Sequence, residues 1–169
     1  MTEQEAPQFV ARADGLKLAV RHRAGASGKP TLVFLPGYAS DMLGGKAIAL
    51  DAWAARQGHA MLRLDYSGCG ESEGAFADGT LSSWRDDARL VIETLIQGPV
   101  LLVGSSMGGW LALLLAEALE DRVKALVGIA AAPDFTEWGF TDAEKATLAT
   151  EGRLLRPSDY GPEPMLTTR

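Results

Sequence analysis

Three short runs constrain this chain more than anything else in it. Thr31 to Leu35, Val100 to Val103 and Val123 to Ala130 are almost unbroken apolar stretches, each followed closely by glycine or proline. A strand without alternating polar positions must be covered on both faces, which is the situation of a parallel sheet whose crossovers are helices. The intervening segments are helical in pattern. Lys46 to Gln57 puts Ala47, Leu50 and Ala54 on one face and meets Gly58, a residue suited to a left-handed terminator. Trp84, Ala88, Val91 and Leu95 form a second stripe, stopped by Gly98-Pro99, for which Ser82 or Ser83 offers a cap and Asp86 and Asp87 a first-turn charge. Met107 to Leu119 is a third, strongly apolar helix, and His59 to Asp65 a further strand. The class is α/β with a mostly parallel sheet.

The sheet is expected to begin antiparallel. Phe9 to Arg12 and Leu16 to Arg23 flank Asp14-Gly15, a pair suited to the positive φ angles of a tight hairpin. Beyond Phe135 the pattern weakens: Thr141-Asp142 can cap a short helix through Ala149, and the tail from Arg156 shows no strand pattern. The expected organisation is a polar tail over 1–8, a core over 9–134 and a separate region over 135–169.

With 169 residues the chain suits one domain, and 47% apolar against 22% charged residues excludes disorder as its main state. A net charge of -6 argues against nucleic acid as a partner, because phosphate-backbone binding needs a basic face. The longest apolar run is about that of Trp110 to Ala116, far short of the ~20 residues of a membrane span. One cysteine, Cys69, excludes an internal disulfide, and with two histidines no His/Cys metal cluster is expected. Cys69 reads as a free thiol. The polar, acidic start, Met1 to Gln8, has neither a signal-like nor a transit-like pattern, so a cytoplasmic location is expected.

The chemistry is concentrated in Gly104-Ser105-Ser106-Met107-Gly108, a G-x-S-x-G directly after an apolar strand and directly before a helix. An elbow of this kind strains the serine backbone and leaves no room for side chains two residues to either side, a need Gly104 and Gly108 meet. Ser106 is then a nucleophile at the carboxyl edge of the sheet, and Ser105 the weaker candidate. An attacked carbonyl builds negative charge on oxygen, which paired backbone N–H groups stabilise by several kcal/mol. The Met107 amide supplies one, and the loop Pro36-Gly37-Tyr38 the other, at Tyr38. Gly109 lets the helix approach the sheet.

These residues resemble the α/β-hydrolase family. The segments Leu35-Pro36-Gly37-Tyr38 with Met42, Gly44 and Lys46-Ala47, then Asp65-Tyr66-Ser67-Gly68 with Gly70 and Ser72, Trp84-Arg85, and Val103 through Trp110 resemble one branch more closely. That branch comprises the palmitoyl-protein thioesterase also described as an acyl-glucuronide esterase (abhydrolase domain-containing protein 10) and its bacterial relatives; Ser158-Asp159-Tyr160 fits it as well. The resemblance implies a cofactor-free serine hydrolase that cleaves small-molecule acyl esters or thioesters through an acyl-enzyme on Ser106. It also implies that the Asp65 to Ser72 loop shapes the site, a loop whose residues read equally as turn formers.

A serine hydroxyl needs a base, supplied in this family by a histidine that follows the acid. No histidine follows Ser106 here. His59 opens a parallel strand and His22 closes an antiparallel one, so both are expected at the amino edge of the sheet, away from the elbow. Asp134 is a fallback acid, with a turn or cap as its other reading. The chain thus reads as the amino-terminal portion of a hydrolase domain, ending after about six strands, inactive by itself for want of a base. A non-catalytic binding or assembly module is the alternative. Phe135, Trp138 and Phe140 sit where the family places a cap: they line an acyl pocket or pack on a second half. The interrupted sheet leaves an edge open to self-association.

Overall fold

The computed structural model describes residues 6–26, 28–158, 162 and 164–168. Asp159 and Tyr160 of the branch-like tail, and 1–5 of the polar start, lie outside them.

Six strands form the main sheet, in the order β1-β2-β4-β3-β5-β6. They are β1 (Gln8–Ala11), β2 (Lys17–Arg23), β3 (Thr31–Leu35), β4 (Met61–Leu64), β5 (Val100–Ser105) and β6 (Val123–Ile129). β1, β2 and β4 pair antiparallel in turn, while β4, β3, β5 and β6 run parallel. β3 and β4 are buried at every residue; β3 is the continuous apolar run this requires, while β4 carries the buried Arg63, paired with Asp51 at 3.0 Å.

The hairpin turn differs from the expected one. Only Gly15 takes a positive φ, at 89°, and the loop closes through Arg12 N–H to Leu16 O and Gly15 N–H to Arg12 O, so five residues separate the strands instead of three. Asp14 contributes its carboxylate, which accepts from the Leu16 amide and pairs with Arg12.

Helices cover both faces. α1 (Gly45–Gln57) buries Ala47 and Ala54 against Leu32, Phe34, Met61 and Val103, and ends at Gly58 with φ 72° as expected. α2 (Leu81–Leu95) and α3 (Met107–Leu119) cover the opposite face, where Trp84, Ala88, Val91, Leu111 and Leu115 join Val33, Leu35, Leu62 and Leu102 in the larger core. α2 starts earlier than its sequence suggested. Its cap is Thr80, whose hydroxyl accepts from the Ser83 amide while Ser83 Oγ takes the Thr80 amide. Ser83 is therefore the third helical residue, and neither Asp86 nor Asp87 is in the first turn. Asp87 serves a different purpose described below.

Past β6 the chain forms a short α4 (Phe135–Trp138), α5 (Asp142–Glu151), capped by Thr141 with Glu144, and a hairpin of β7 (Arg153–Arg156) and β8 (Met165–Thr168). The tail thus carries strands where its sequence showed none. β7 and β8 pair with each other over four residues, a contact that local alternation does not announce in a segment with three prolines. Phe140 is buried against Phe135 and under the Arg156 guanidinium, 4.9 Å from the ring centre, and Phe135 packs on Tyr38 and Trp110. Both phenylalanines therefore pack within this chain. Trp138 is two-thirds exposed, its indole N–H bonded to the Pro133 carbonyl.

Among the described residues, no helix is long and apolar enough to cross a membrane. β6 pairs only with β5 there, and Val127 on it is 53% exposed.

Candidate active site

Register sets the geometry. β3 and β5 are hydrogen-bonded neighbours, and Leu35 pairs with Gly104, so the loop leaving β3 and the turn leaving β5 emerge side by side at the carboxyl edge. Ser106 sits on that turn with φ 53° and ψ -120°, and Ser105 precedes it as the last residue of β5. A non-glycine residue in this region is strained, and the surroundings hold it there. The Ser106 amide donates to Ile129 O, and its carbonyl accepts from the Gly109 and Ala132 amides. Its hydroxyl makes no helix-cap hydrogen bond, although Ser106 occupies the cap position of α3. A serine recruited for capping would bond an amide of the first turn.

The flanking glycines are demanded by contact. A Cβ on Gly104 would lie 2.1 Å from Gly108 O, and one on Gly108 would lie 2.1 Å from Leu35 O and 2.6 Å from Pro36 O. Gly109 is needed too, but against a different neighbour: its Cβ would meet Ala131, in the loop after β6, at 2.4 Å. The helix thus starts pressed against the backbone of the β3 loop.

On that loop, Gly37 faces the elbow, where a Cβ would stand 3.1 Å from Ser105 O and 3.3 Å from Ser106 Cβ. Among the described residues, neither the Tyr38 nor the Met107 amide has an acceptor. The Tyr38 ring belongs to an aromatic cluster with Phe76, Trp84 and Phe135 at centroid distances of 5.1, 6.1 and 6.5 Å, and its hydroxyl donates to the Leu166 carbonyl of β8. Burial raises its pKa. Beside this loop a cleft of about 210 Å³ opens between Ala39, Asp41, Cys69 and Phe76. That is below the ~300 Å³ at which small-molecule pockets begin.

The loop after β4 is a scaffold. Asp65 is fully buried, with its carboxylate accepting from the Met42 amide at 2.7 Å and the Glu71 amide at 2.9 Å. Desolvation outweighs those two bonds and raises its pKa. Gly70 cannot carry a side chain, because a Cβ would lie 2.1 Å from Asp65 Oδ2. Cys69 is buried in the same loop, and burial with the charge of Asp65 pushes its thiol up to about 12. That value keeps it protonated and unreactive.

Neither histidine approaches Ser106. His59 lies ahead of β4, its Nδ1 3.1 Å from Pro30 O just before β3 and its ring stacked on Trp53. His22 pairs with Leu62 near the start of β4, and burial lowers its pKa. Both are at the amino edge, where topology put them. Asp134 is exposed at the start of α4, with φ 52° and no side-chain cap bond, so it is a turn residue that caps nothing.

Sequence patterning missed the clamp that holds the β4 loop. The Ser67 amide donates to Asp87 Oδ2 at 2.9 Å and its carbonyl accepts from Trp84 Nε1 at 3.0 Å, so α2 grips both backbone groups of one residue. Asp87 also takes the Arg12 guanidinium at 3.0 Å. Tyr66, wholly buried, reaches the Pro36 carbonyl with its hydroxyl at 3.1 Å. A buried tyrosine hydroxyl requires a partner, and that requirement was the available signal.

Residues 30–149 match the family model described as the alpha/beta hydrolase fold. The human palmitoyl-protein thioesterase ABHD10, mitochondrial, is 41% identical over 158 residues, which cover 92% of this chain and 51% of that protein. Among solved structures, a protein of Agrobacterium vitis S4 is 42% identical with a TM-score of 0.85, covering 96% of this chain and 67% of the other. Mouse alpha/beta hydrolase domain-containing protein 10 is 36% identical with a TM-score of 0.82, covering 92% and 63%. The chain spans about half the length of the curated relatives it matches. The expected cytoplasmic location is overturned, since the bovine, human and orangutan relatives are all named as mitochondrial proteins. The sheet order, the glycine-flanked serine turn and these likenesses agree, and the chain belongs to the α/β-hydrolase family, in the branch of alpha/beta hydrolase domain-containing protein 10.

Proposed function

We propose that this chain carries the nucleophile and oxyanion hole of a serine hydrolase that cleaves carboxylic acyl esters or thioesters through an acyl-enzyme on Ser106. The observation that carries the reading is the conformation of Ser106: strained at φ 53°, flanked by glycines that contact forbids replacing, and with a hydroxyl not spent on capping. The Ser106 Oγ attacks the acyl carbonyl as its proton passes to a base. The carbonyl oxygen becomes an anion received by the Tyr38 and Met107 amides, and collapse expels the alcohol or thiol. Water then repeats the sequence on the acyl-enzyme to release the acid. The thioester half of the proposal leans on the relatives named palmitoyl-protein thioesterase.

The base is the missing partner. Both histidines of this chain lie at the amino edge. Asp134 remains the fallback acid, and without a histidine it activates nothing, so the chain alone is proposed to be inactive. In the natural protein carrying this sequence, a fluorophosphonate probe is expected to label Ser106, and Ser106→Ala to abolish both labelling and hydrolysis of p-nitrophenyl esters. Undiminished labelling of Ser106→Ala, with hydrolysis intact, would refute the assignment.

The same distance between histidines and elbow favours a second reading, a hydrolase-like module that binds or assembles without turnover, self-associating through the open β6 edge. It requires that the natural protein be inert toward the probe.

A further inference from the structure

We infer that Tyr66 is a positioning residue for the oxyanion hole, acting through the Pro36 carbonyl. The inference rests on the proposed nucleophile and oxyanion roles of Ser106 and Tyr38. Tyr66 comes from the β4 loop, 30 residues away in sequence, and its hydroxyl donates to Pro36 O at 3.1 Å inside the core. Its side chain is fully buried, and burial raises its pKa well above the usual value, so the phenol stays a donor.

Pro36 O is confined from the other side as well. The Gly108 backbone of α3 lies so close that an added Cβ would stand 2.6 Å from it. A peptide group is planar, so fixing the Pro36 carbonyl fixes the plane that leads into Gly37. Gly37 then has one remaining peptide to the Tyr38 amide, and it already abuts Ser105 O and Ser106 Cβ. Glycine has the widest backbone freedom of any residue. Without the Tyr66 bond, the peptide bearing the Tyr38 N–H is held by the Ser40 amide on Gly37 O, at 3.2 Å, and otherwise hinges on its most permissive residue.

Tyr66 is itself held. Ser67, its neighbour, is gripped at both backbone groups by Asp87 and Trp84 of α2, and Trp84 packs against the Tyr66 ring at a centroid distance of 6.1 Å. The arrangement runs from α2 through Ser67 and Tyr66 to Pro36, and so delivers a rigid helix to a loop that needs stiffness. Preorganised donors of this kind matter in the transition state, where the oxygen carries charge, and little in the ground state.

The test uses the natural protein carrying this sequence, with p-nitrophenyl octanoate as substrate and a trifluoromethyl ketone of the same chain as a tetrahedral analogue. Tyr66→Phe keeps the ring and removes only the donor. Its kcat is expected to fall about tenfold with KM changed less than about twofold, and the affinity for the ketone to fall in step with kcat/KM. Trp84→Phe, which leaves the Tyr66 hydroxyl but removes the indole N–H on Ser67, is expected to lower kcat about threefold with the same unchanged KM. A residue serving stability alone would lower the melting temperature and leave kcat and ketone affinity untouched. That result, in whichever of the two variants folds, overturns the inference while Ser106→Ala is still inactive. If Ser106→Ala hydrolyses the ester normally, the active-site reading fails and this inference falls with it.

Discussion

Gly108→Ala puts the close approach of α3 to the β3 loop under direct test. The new Cβ would lie 2.1 Å from Leu35 O, 2.7 Å from Leu35 C and 2.6 Å from Pro36 O, all of them backbone atoms. A carbon–oxygen contact settles near 3.3 Å, so α3 and the loop after β3 must part by about 1 Å. Overpacking of this kind costs about 3 kcal/mol when no side chain can swing aside. Parting also stretches the buried Tyr66 to Pro36 bond, worth about 1 kcal/mol, and alanine returns about 1 kcal/mol of helix propensity. The net loss is about 3 kcal/mol, or a melting temperature lower by about 6–12 °C for a domain of this size. Activity should fall as well, by about a hundredfold, because the displaced atoms belong to the loop that carries the Tyr38 amide. Thermal unfolding followed by circular dichroism and kcat/KM on a p-nitrophenyl ester read the two effects separately. Gly45→Ala is the control: nothing stands within 4 Å of a Cβ there, and up to about 1 kcal/mol of stabilisation is expected. If Gly108→Ala gains stability as the control does and keeps its rate, the close approach is wrong, and the account of the elbow with it.

Other perturbations have equally definite outcomes. Asp87→Asn weakens the hold on Ser67 and leaves Arg12 without its buried partner, and should cost about 2–3 kcal/mol in urea unfolding; a change below 0.5 kcal/mol would mean the clamp is not gripping. Cys69, at about 12 against 9.0 for a free thiol, should react with iodoacetamide at pH 8 about a thousandfold more slowly than an unhindered thiol, and labelling at the unhindered rate refutes its burial. Because that thiol is raised in the folded state, its contribution to stability is complete below pH 9 and lost as pH climbs toward 12, so wild type should lose melting temperature over that window relative to Cys69→Ala. Val127→Lys places a charge on the exposed β6, and sedimentation velocity should show any self-association of the chain reduced; an unchanged oligomer locates the contact elsewhere.

Much of the fold could be read from the order of residues because its strands advertise themselves. Thr31 to Leu35 and Val100 to Val103 are continuous apolar runs, and only a two-sided sheet buries such segments. The elbow was legible for a similar reason: Gly104 and Gly108 are exclusions written into the sequence at fixed spacing. What escaped notice was long-range and polar. Nothing local distinguishes Asp87 in α2 from a helix-dipole charge, and only the approach of Ser67 and Arg12 turns it into a buried clamp. The β7–β8 pairing likewise depends on a partner strand rather than on alternation, and Thr80 stands beside Ser82 and Ser83, equally suited to capping, so the local sequence does not single it out.

The pairing of Leu35 with Gly104 has a consequence for how such a site can change over time. The spacing between the serine and the facing amide is inherited from ladder hydrogen bonds that involve no side chain. For the proposed active site, the alignment of nucleophile and oxyanion donor is therefore set first by backbone pairing, while the side chains around Tyr38 are where a change of recognised substrate would be made. A fold arranged this way can keep one reaction and exchange its customers, since altering what is recognised leaves the machinery that reacts unmoved.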